Sequence, residues 1–357
     1  MNVLVPNLGS TSLKFQIIEM PSETVLARGK RERVADYGEA LAEISAEGVA
    51  IHAIALKAVH GGPKYRGTYV VDNHVTEAMR EYLPAAPVHN AIYLDAIRSF
   101  RQAMPAIPIV AAFETEFHAT MPPFASAYGV PTDWRTNHGI TRYGFHGASH
   151  QYIAERVKSD RLISCHLGGS SSICAIRGGH SIDTTMGFSP QSGLENATRH
   201  GDLDVFAVLF MMDRAGMTTA DVRRSLNGQC GLAGLSGIPG GDVRDLEAAA
   251  ETGNHSAALA LAVFSYQVCK TIGAFAAALG GVDAIAFTGG IGENSVRLRA
   301  ACCKGLEFLG VKLDPERNQQ AVPEKVVSAT DSSVIVVALP TNEELIVARR
   351  AWHVLTA

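Results

Sequence analysis

Two stretches of this 357-residue chain share one pattern: Val3-Leu-Val-Pro-Asn-Leu-Gly-Ser-Thr-Ser-Leu13 and Ile163-Ser-Cys-His-Leu-Gly-Gly-Ser-Ser-Ser-Ile173. Each has an apolar run, a glycine turn with small hydroxyl residues, and a second apolar run. Apolar runs on both sides of a turn whose glycine permits a positive φ are typical of a β-hairpin. Because self-similarity at a long interval indicates duplicated units, the chain is predicted to contain two related domains.

The two hairpin turns also point to a ligand. Backbone N–H groups and hydroxyls at such a turn form a concave donor site for phosphate. Two facing copies would therefore grip a polyphosphate between two domains. The alternative for either copy alone is an ordinary hairpin of an α/β protein, and the repetition favours the paired phosphate site.

Composition limits the classes of function. Hydrophobic residues make up 47% of the chain and charged residues 18%, so a packed core is expected and disorder is not. The net charge of −4 provides no basic field that would collect nucleic acid or anionic lipid. No stretch approaches the ~20 apolar residues of a membrane span. We therefore expect a cytoplasmic protein with neither nucleic acid nor a membrane as partner.

The six cysteines show no spacing typical of a metal site. Several lie in apolar strand or helix patterns, which predicts reduced thiols in the core. The cysteines are Cys165, Cys174, Cys230, Cys269, Cys302 and Cys303.

Both halves show the same order of predicted elements after the hairpin. The first half is predicted to continue with a strand at 24–33, a helix at 38–46, a strand at 53–59, helices at 73–82 and 91–104, and a strand at 108–113, with a chain break at 87–90. The second half is predicted to continue with a strand at 181–184, helices at 205–213, 219–225 and 254–279, a strand at 282–287, a helix at 296–305, a strand at 334–338 and a helix at 342–353. This order predicts mixed sheets covered by helices, with a hinge near 144–150. Residues 288–294 form a predicted glycine turn between a strand and a helix, which again indicates phosphate.

Five loop segments, in this order along the chain, closely resemble the acetate kinase family, the acetate and propionate kinases of the sugar kinase and actin superfamily. The segments are Arg142-Tyr-Gly-Phe-His-Gly-Ala-Ser-His150, Asp183-Thr-Thr-Met-Gly-Phe188, Thr198-Arg-His-Gly-Asp202, Thr288-Gly-Gly-Ile-Gly-Glu-Asn294 and Thr341-Asn-Glu-Glu344. The resemblance implies an α/β fold with two related ribonuclease H-like (actin-like ATPase) domains, mixed sheets flanked by helices, and an active-site cleft between them. It implies a metal and acyl-substrate domain at 1–147, completed by about 342–357, and a nucleotide-binding domain at 148–341.

The function that the resemblance implies is a short-chain carboxylate kinase. An acetate kinase would convert ATP and acetate to ADP and acetyl phosphate by direct in-line transfer, with Mg²⁺ or Mn²⁺, as a homodimer. A propionate, butyrate or pyrophosphate-dependent acyl kinase is the alternative within this class. A diverged nucleotide-binding regulator without turnover is the alternative from another class.

The resemblance also implies site residues. Asn7 and Glu343 correspond to metal ligands, partly through water, as suits Mg²⁺. His146 and Arg199 correspond to the pair that stabilises the transferring phosphoryl group, with Glu114 as a catalytic carboxylate. Lys57 and His89 correspond to the acyl-substrate site. The implied nucleotide and phosphate residues are Ser10, Ser12, Lys14, His166, Leu167, Gly168, Gly169, Ser170, Asp242, Val243, Arg244, Gly289, Gly290, Ile291, Gly292 and Glu293.

Three residues depart from the family pattern. The family normally has arginine at Lys57, aspartate at Glu114 and asparagine at Gly169. Lysine keeps the positive charge but loses the bidentate fork of arginine. Because the cation becomes shorter while the carboxylate becomes longer, we hypothesise that the changes at Lys57 and Glu114 compensate each other. His150, four residues after His146, is open to two interpretations: a helix cap or a residue that supports the site.

Overall fold

The computed structural model describes residues 1–9, 12–34, 36–46, 48–320 and 322–357. The predicted phosphate-site residue Ser10 lies outside these described residues. The first half contains β1 (Asn2–Gly9), β2 (Ser12–Glu19), β3 (Thr24–Glu32), α1 (Tyr37–Ala46), β4 (Ala53–Ala58), β5 (Thr68–Val70), α2 (Asn73–Glu81), α3 (Pro87–Ala103), β6 (Ile109–Phe113), α4 (Pro123–Ser126) and α5 (Thr132–His138).

The second half begins with α6 (Gly147–Val157) and the strands β7 (Arg161–His166), β8 (Ser172–Arg177) and β9 (His180–Thr184). It continues with α7 (Val205–Ala215), α8 (Thr219–Gly228), α9 (Gly231–Ser236), α10 (Val243–Glu251), α11 (His255–Leu279), β10 (Ala284–Thr288), α12 (Gly289–Asn294), α13 (Val296–Cys303), α14 (Pro315–Gln319), β11 (Lys325–Val326), β12 (Ile335–Ala338) and α15 (Glu343–Thr356). Short 3₁₀ turns lie at Phe117–Thr120, Pro239–Gly241 and Glu307–Leu309.

The strands form two six-stranded sheets with one topology. The first sheet has the order β3-β2-β1-β4-β6-β5, and the second has the order β9-β8-β7-β10-β12-β11. Corresponding pairs also agree in direction: β1–β2 and β7–β8 are antiparallel, whereas β1–β4 and β7–β10 are parallel. The doubled hairpin is therefore the first part of a doubled sheet, and the predicted mixed α/β architecture is confirmed.

Helices cover both faces of each sheet. In the first sheet, one core contains Phe15, Phe100 and Phe113 beneath α1–α3, and the opposite face packs against Ile346 and Ala351 of α15. In the second sheet, α11 covers one face and α6 the other. The terminal helix therefore returns to the first sheet after β12 has completed the second.

Two elements differ from the sequence predictions. The predicted break at 87–90 is wrong, because α3 begins at Pro87, and proline suits the first turn of a helix, where its missing N–H would lack an intrahelical partner. The hinge near 144–150, a segment in which α6 begins, stays a prediction. The predicted glycine turn at 288–294 is the short helix α12, which follows β10 directly.

Helix α11 is long and apolar enough to cross a membrane by length and composition, so the expectation that no stretch approaches this limit is wrong. Its residues Phe264, Val268 and Ile272 are buried in the core of the second sheet, as expected for the core helix of an α/β layer. The opposite side of the helix is exposed at Leu259 and Tyr266, so the helix is buried on one side rather than all round.

The cysteine prediction is confirmed. All six cysteines are free thiols, and four of them are buried. Burial raises the pKa of the Cys165 and Cys302 thiols, which keeps them protonated and unreactive.

Candidate active site

Three charged side chains from distant parts of the chain meet beside the end of the first sheet. Lys57 lies on β4, Glu114 directly follows β6, and Glu343 begins α15. The ammonium of Lys57 donates to Oε2 of Glu343 and lies 3.5 Å from Oε1 of Glu114. Since the ends of neighbouring parallel strands lie at the same edge of a sheet, β4 and β6 bring Lys57 and Glu114 together.

This cluster is buried, and its charges are interdependent. Burial raises the pKa of Glu114, and the attraction of Lys57 opposes that rise only in part. Burial acts in the same direction on Glu343, but the adjacent Lys57 ammonium lowers the pKa of Glu343 below its usual value. Burial alone would lower the pKa of Lys57, yet the two carboxylates raise it well above its usual value. The cluster therefore holds a charged Lys57–Glu343 pair.

The residues around Glu343 fit a divalent cation. Asn7, Lys57 and Glu343 line one small cavity. Oε2 of Glu114 is buried and has no hydrogen-bond partner, so the cluster has an unused oxygen. Mg²⁺ is usually held by one or two protein carboxylates together with water and phosphate oxygens. Among the described residues, no group of three or more histidine, cysteine, aspartate or glutamate side chains is placed to hold a metal ion, so a cation here would depend on water and phosphate oxygens as well.

The first hairpin positions two further predicted residues next to Asn7. Lys14 pairs directly with Asn7 across the β1–β2 ladder, and such opposed side chains lie on the same face of a sheet. Ser12 pairs with Gly9 at the end of the same hairpin. Lys14 is exposed, with no ion pair among the described residues.

His146 occupies an unusual backbone position at the start of α6. It has a φ of 56°, a left-handed conformation that non-glycine residues seldom adopt. Nδ1 of His146 hydrogen-bonds Oγ of Ser172 at 2.9 Å, and its ring stacks on that of His166 with centroids 4.3 Å apart. Burial lowers the pKa of His146 well below its usual value, and the positive charges of Lys57 and Arg199 add to this effect. His146 is therefore a neutral hydrogen-bonding group close to both cations.

The residue after His146 joins the helix to the first sheet. The N–H of Gly147 donates to the carbonyl of Glu114 at 3.1 Å. A Cβ atom at position 147 would lie 2.2 Å from that carbonyl oxygen. Only glycine permits this approach, which holds the backbone of His146 next to the backbone of Glu114.

Arg199 connects His89, a predicted acyl-site residue, to Ser170 in the turn of the second hairpin. Its guanidinium donates to Oγ of Ser170 at 3.1 Å and to the carbonyl of Pro190 at 3.2 Å. The same guanidinium bonds Nε2 of His89, on α3, at 3.2 Å. Burial and the neighbouring Arg199 lower the pKa of His89 to about 4. Neutral His89, in the first half of the chain, therefore accepts from Arg199, in the second half.

A cavity of about 630 Å³ lies beside this cluster, in the range of small-molecule sites. Seven predicted nucleotide residues line it: Gly168, Gly169, Asp242, Val243, Arg244, Gly290 and Ile291. The carboxylate of Asp242 caps α10 and pairs with the guanidinium of Arg244 at 2.6 Å. Gly169 has open space where a side chain would lie, so the absence of a side chain there leaves the cavity wider.

Other predicted nucleotide residues support the wall of this cavity instead of lining it. The carbonyl of Leu167 accepts from the N–H groups of Ile291 and Gly292 at 2.9 and 3.1 Å. Gly289 has a φ of 78°, and a Cβ there would lie 2.6 Å from the same carbonyl. His166, Leu167, Ser170, Gly289, Gly292 and Glu293 do not line the cavity.

The sequence predictions missed several cavity residues. Ala197, Gly240, Gly241, Glu247 and Ser295 also line the cavity, as does Asn294, the last residue of the predicted glycine turn at 288–294. The adjacent pair Gly240-Gly241, both with positive φ, was the available signal, because such pairs bring backbone close to a ligand. Ser172, the partner of His146, was also missed.

The acetokinase family model matches residues 40–349, which is most of the chain. The chain belongs to the acetokinase family. It is 41% identical to the acetate kinase of Geobacillus sp. strain WCH70, an alignment that covers 97% of both chains. It is also 41% identical to the acetate kinase of Carboxydothermus hydrogenoformans, over 99% of both chains.

Solved structures of acetokinases agree with this assignment. The crystal structure of Porphyromonas gingivalis acetate kinase matches with a TM-score of 0.89 at 33% identity, over 99% of both chains. The structure of a propionate kinase from Francisella tularensis matches with a TM-score of 0.90 at 31% identity, over 98% of both chains. The resemblance inferred from the loop motifs is confirmed, and the chain is a phosphotransferase that acts on a carboxylate.

Proposed function

We propose that the chain transfers the terminal phosphoryl group of ATP to acetate, giving ADP and acetyl phosphate. The observation that carries this proposal is the convergence of Lys57, Glu114, His146 and Arg199 beside the nucleotide-sized cavity. Each half of the molecule contributes to this cluster. A cleft between the halves can therefore receive a carboxylate on one side and a nucleotide on the other.

In the proposed step, an oxygen of the carboxylate attacks the terminal phosphorus. The bond between that phosphorus and the bridging oxygen of ADP breaks as the new P–O bond forms. No proton has to move, because a carboxylate is ionised at neutral pH and needs no general base. The charge that develops on the three equatorial phosphoryl oxygens is what the protein must stabilise.

His146 and Arg199 are proposed to stabilise that charge. Arg199 is partly buried and presents a planar guanidinium, and the neutral imidazole of His146 can donate one hydrogen bond. Donors that are already oriented in a buried site cost little reorganisation when the reaction occurs. The reverse transfer, from acetyl phosphate to ADP, would use the same contacts.

We propose that Asn7 and Glu343 hold Mg²⁺ or Mn²⁺, with the unpartnered oxygen of Glu114 directed to the same cluster. A metal ion there would neutralise nucleotide phosphate charge. The ammonium of Lys57, which now pairs with Glu343, is proposed to contact the substrate carboxylate when the cation is bound.

Acyl phosphate trapped as a hydroxamate tests the proposal. The assay would use ATP, Mg²⁺ and acetate, propionate or butyrate, and pyrophosphate would replace ATP in a parallel series. We expect acetate with ATP to give the highest rate, and propionate is the second candidate because one matching structure is a propionate kinase. Nucleotide binding without product from any acid or donor would support the regulator alternative instead.

A histidine variant adds a residue-level test. His146→Asn keeps a group near Nδ1 but removes the donor at Nε2, so we expect kcat to fall about 10²- to 10³-fold. His74→Asn, at an exposed position on α2, is the matched control and should retain the parent rate. An active His146→Asn variant would exclude the proposed role.

We propose that the domains divide as the resemblance implies, at 1–147 with about 342–357 and at 148–341. The packing of α15 against β1 and β4 supports the assignment of the terminal helix to the first domain. The two sheets of identical topology support the remaining division.

We also propose that the protein is a homodimer formed through α7. No residue of α7 or α8 is buried. Val205, Phe206 and Phe210 are 68%, 73% and 60% exposed, which leaves an apolar face without a partner. Monomeric proteins rarely expose such a face, and a second copy of the same face would cover it.

Light scattering after size exclusion would test this dimer. We expect about twice the chain mass of 37.9 kDa for the parent protein. A variant with Phe206→Glu and Phe210→Glu should elute as a monomer. Phe308→Glu, at an isolated exposed phenylalanine, should remain dimeric. A monomeric parent protein would contradict the proposal.

We propose a cytoplasmic location, without nucleic acid or a membrane as partner. The free buried thiols and the net charge of −4 support this proposal. Acetate and nucleotide are the small-molecule partners.

A further inference from the structure

A continuous row of buried hydroxyl and imidazole groups lies behind His146. Oγ of Ser164 bonds Nδ1 of His150 at 2.9 Å, and Nε2 of His150 bonds Oγ of Ser172 at 2.8 Å. Oγ of Ser172 then bonds Nδ1 of His146 at 2.9 Å. Ser164, His150 and Ser172 are all 0% exposed. The row connects β7, α6 and β8 to the residue proposed to contact the phosphoryl group.

The number of protons in this row limits its arrangement. A neutral imidazole has one N–H donor and one acceptor nitrogen, and a hydroxyl has a single proton to donate. Ser172 can therefore donate to only one of its two histidine partners and must accept from the other. As a result, the tautomers of His146 and His150 are linked, and the row has two fully bonded directions.

The buried end of the row distinguishes the two directions. Oγ of Ser164 has no polar partner except His150 within the described part of the chain. If His150 donated to Ser164, the serine proton would be buried without an acceptor, which is costly. If Ser164 donates to Nδ1 of His150, every buried donor in the row is satisfied. Each hydrogen bond in the row is then donated in the direction from Ser164 to His146.

This direction determines which ring nitrogen of His146 carries the proton and can donate to a substrate. His150 donates through Nε2 to Ser172, and Ser172 donates to Nδ1 of His146. The proton of His146 is then on Nε2, an atom without a hydrogen bond to any residue the structure describes. An N–H at that atom is a donor that a phosphoryl oxygen can accept.

We propose that Ser164, His150 and Ser172 are positioning residues that hold His146 in the Nε2-protonated tautomer and keep that donor oriented for phosphoryl transfer. The inference rests on the proposed function for its use in catalysis, whereas the tautomer itself follows from the hydrogen-bond row. Of the two interpretations of His150, a helix cap or a residue that supports the site, the inference favours the second, because His150 positions His146 through Ser172.

A second buried histidine provides a comparison within the same molecule. His118 bonds Oγ of Ser181 through Nδ1 at 2.9 Å and the carbonyl of Phe145 through Nε2 at 2.9 Å. Ser181 and Ser172 are both fully buried serines that bond a histidine Nδ1. Only Ser172 leads to His146, so Ser181 is a matched control.

Nitrogen-15 NMR of the histidine-labelled parent protein tests the tautomer directly. We expect the imidazoles of His146 and His150 to carry protons on Nε2, with bare, hydrogen-bonded Nδ1 atoms. His146→Asn and His150→Gln spectra would assign the signals. A proton on Nδ1 of His146 would overturn the inference, whether or not the protein forms acyl phosphate.

Serine variants test the effect on catalysis. Ser172→Ala should lower kcat about tenfold and change the KM for ATP less than twofold, because it releases the His146 ring without altering the nucleotide cavity. Ser172→Thr keeps the hydroxyl and should restore kcat to within about threefold. Ser181→Ala should leave kcat within twofold of the parent value.

Three results would contradict the positioning role. These are a parent-like kcat in Ser172→Ala, an equal loss of kcat in Ser181→Ala, and no rescue in a folded Ser172→Thr variant. A parent protein that forms no acyl phosphate would contradict the proposed function, while the NMR result would still decide the tautomer.

Discussion

The contact between Lys57 and Glu114 allows their proposed compensation to be tested quantitatively. The variants are Lys57→Arg, Glu114→Asp and the combination of both. The atoms Lys57 Nζ and Glu114 Oε1 lie 3.5 Å apart, and burial raises the pKa of Glu114 to about 7. In the ionised form of Glu114, the two unit charges attract by ~4.7 kcal/mol at an effective dielectric constant of about 20. Removing one methylene withdraws the carboxylate by about 1.5 Å, the length of a C–C bond. At about 5 Å the attraction is ~3.3 kcal/mol.

Because Lys57 is proposed to contact the substrate carboxylate from this position, Glu114→Asp alone should lose up to about 1.4 kcal/mol, or roughly tenfold in kcat/KM for acetate. Lys57→Arg alone places a larger group against two carboxylates in a buried cluster, an overpacking that typically costs about 1–3 kcal/mol. Together the longer cation and the shorter anion should restore the spacing. We expect the double variant to reach within about threefold of the parent kcat/KM, a coupling energy of at least about 1 kcal/mol.

The assay is hydroxamate trapping at saturating ATP with acetate varied, and the KM for ATP serves as an internal check. Lys312→Arg, Asp331→Glu and their combination form the control cycle. Lys312 and Asp331 are an exposed ion pair, 2.6 Å apart, and neither residue has a predicted role in the site. Additive effects at Lys57 and Glu114, within about 0.4 kcal/mol, would refute the compensation hypothesis.

Three further predictions concern metal, pH and the nucleotide wall. Lys57→Met should bind Mn²⁺ at least tenfold more tightly in the nucleotide-free state, measured by electron paramagnetic resonance, because the ammonium no longer competes for Glu343, and an unchanged affinity would exclude that competition. His118, whose pKa burial lowers to about 4, should contribute full stability near pH 7 and lose about 3 kcal/mol of it as pH falls from 6.5 to 4, because the unfolded state then binds the extra proton. The thermal midpoint should consequently fall less steeply with pH in His118→Gln than in the parent, and parallel curves would contradict this assignment. Gly289→Ala, with its φ of 78°, should lower the unfolding free energy by about 2 kcal/mol and weaken ATP binding in calorimetry, whereas Gly129→Ala, with open space around a Cβ and no role in the site, should change neither.

Local patterns were sufficient to predict the doubled hairpin and most of the long elements. The alternation around Gly9 and Gly168 depends on neighbours within a few residues, so the sequence alone contains it. Pro87 was interpreted wrongly, because proline both ends helices and begins them, and only packing distinguishes the two cases.

The candidate site required the structure. Lys57 and Glu343 are 286 positions apart, and no periodicity in the chain indicates that they form an ion pair. The motif around His146 identified that residue, but its link to Ser172 depends on how α6 packs against β8. The family resemblance named residues of the cleft, whereas the hydrogen-bond row and the charged cluster emerge only from three-dimensional contacts.

The placement of His146 has a consequence for how the two halves could move. Its neighbour Gly147 is bonded to the carbonyl of Glu114, which directly follows β6 of the first sheet, while the ring of His146 is bonded to Ser172 on β8 of the second sheet. A rotation of the halves that preserves both bonds must have its axis close to His146. His146 would then lie at the pivot of the motion, and the atoms farthest from His146 would undergo the largest displacement.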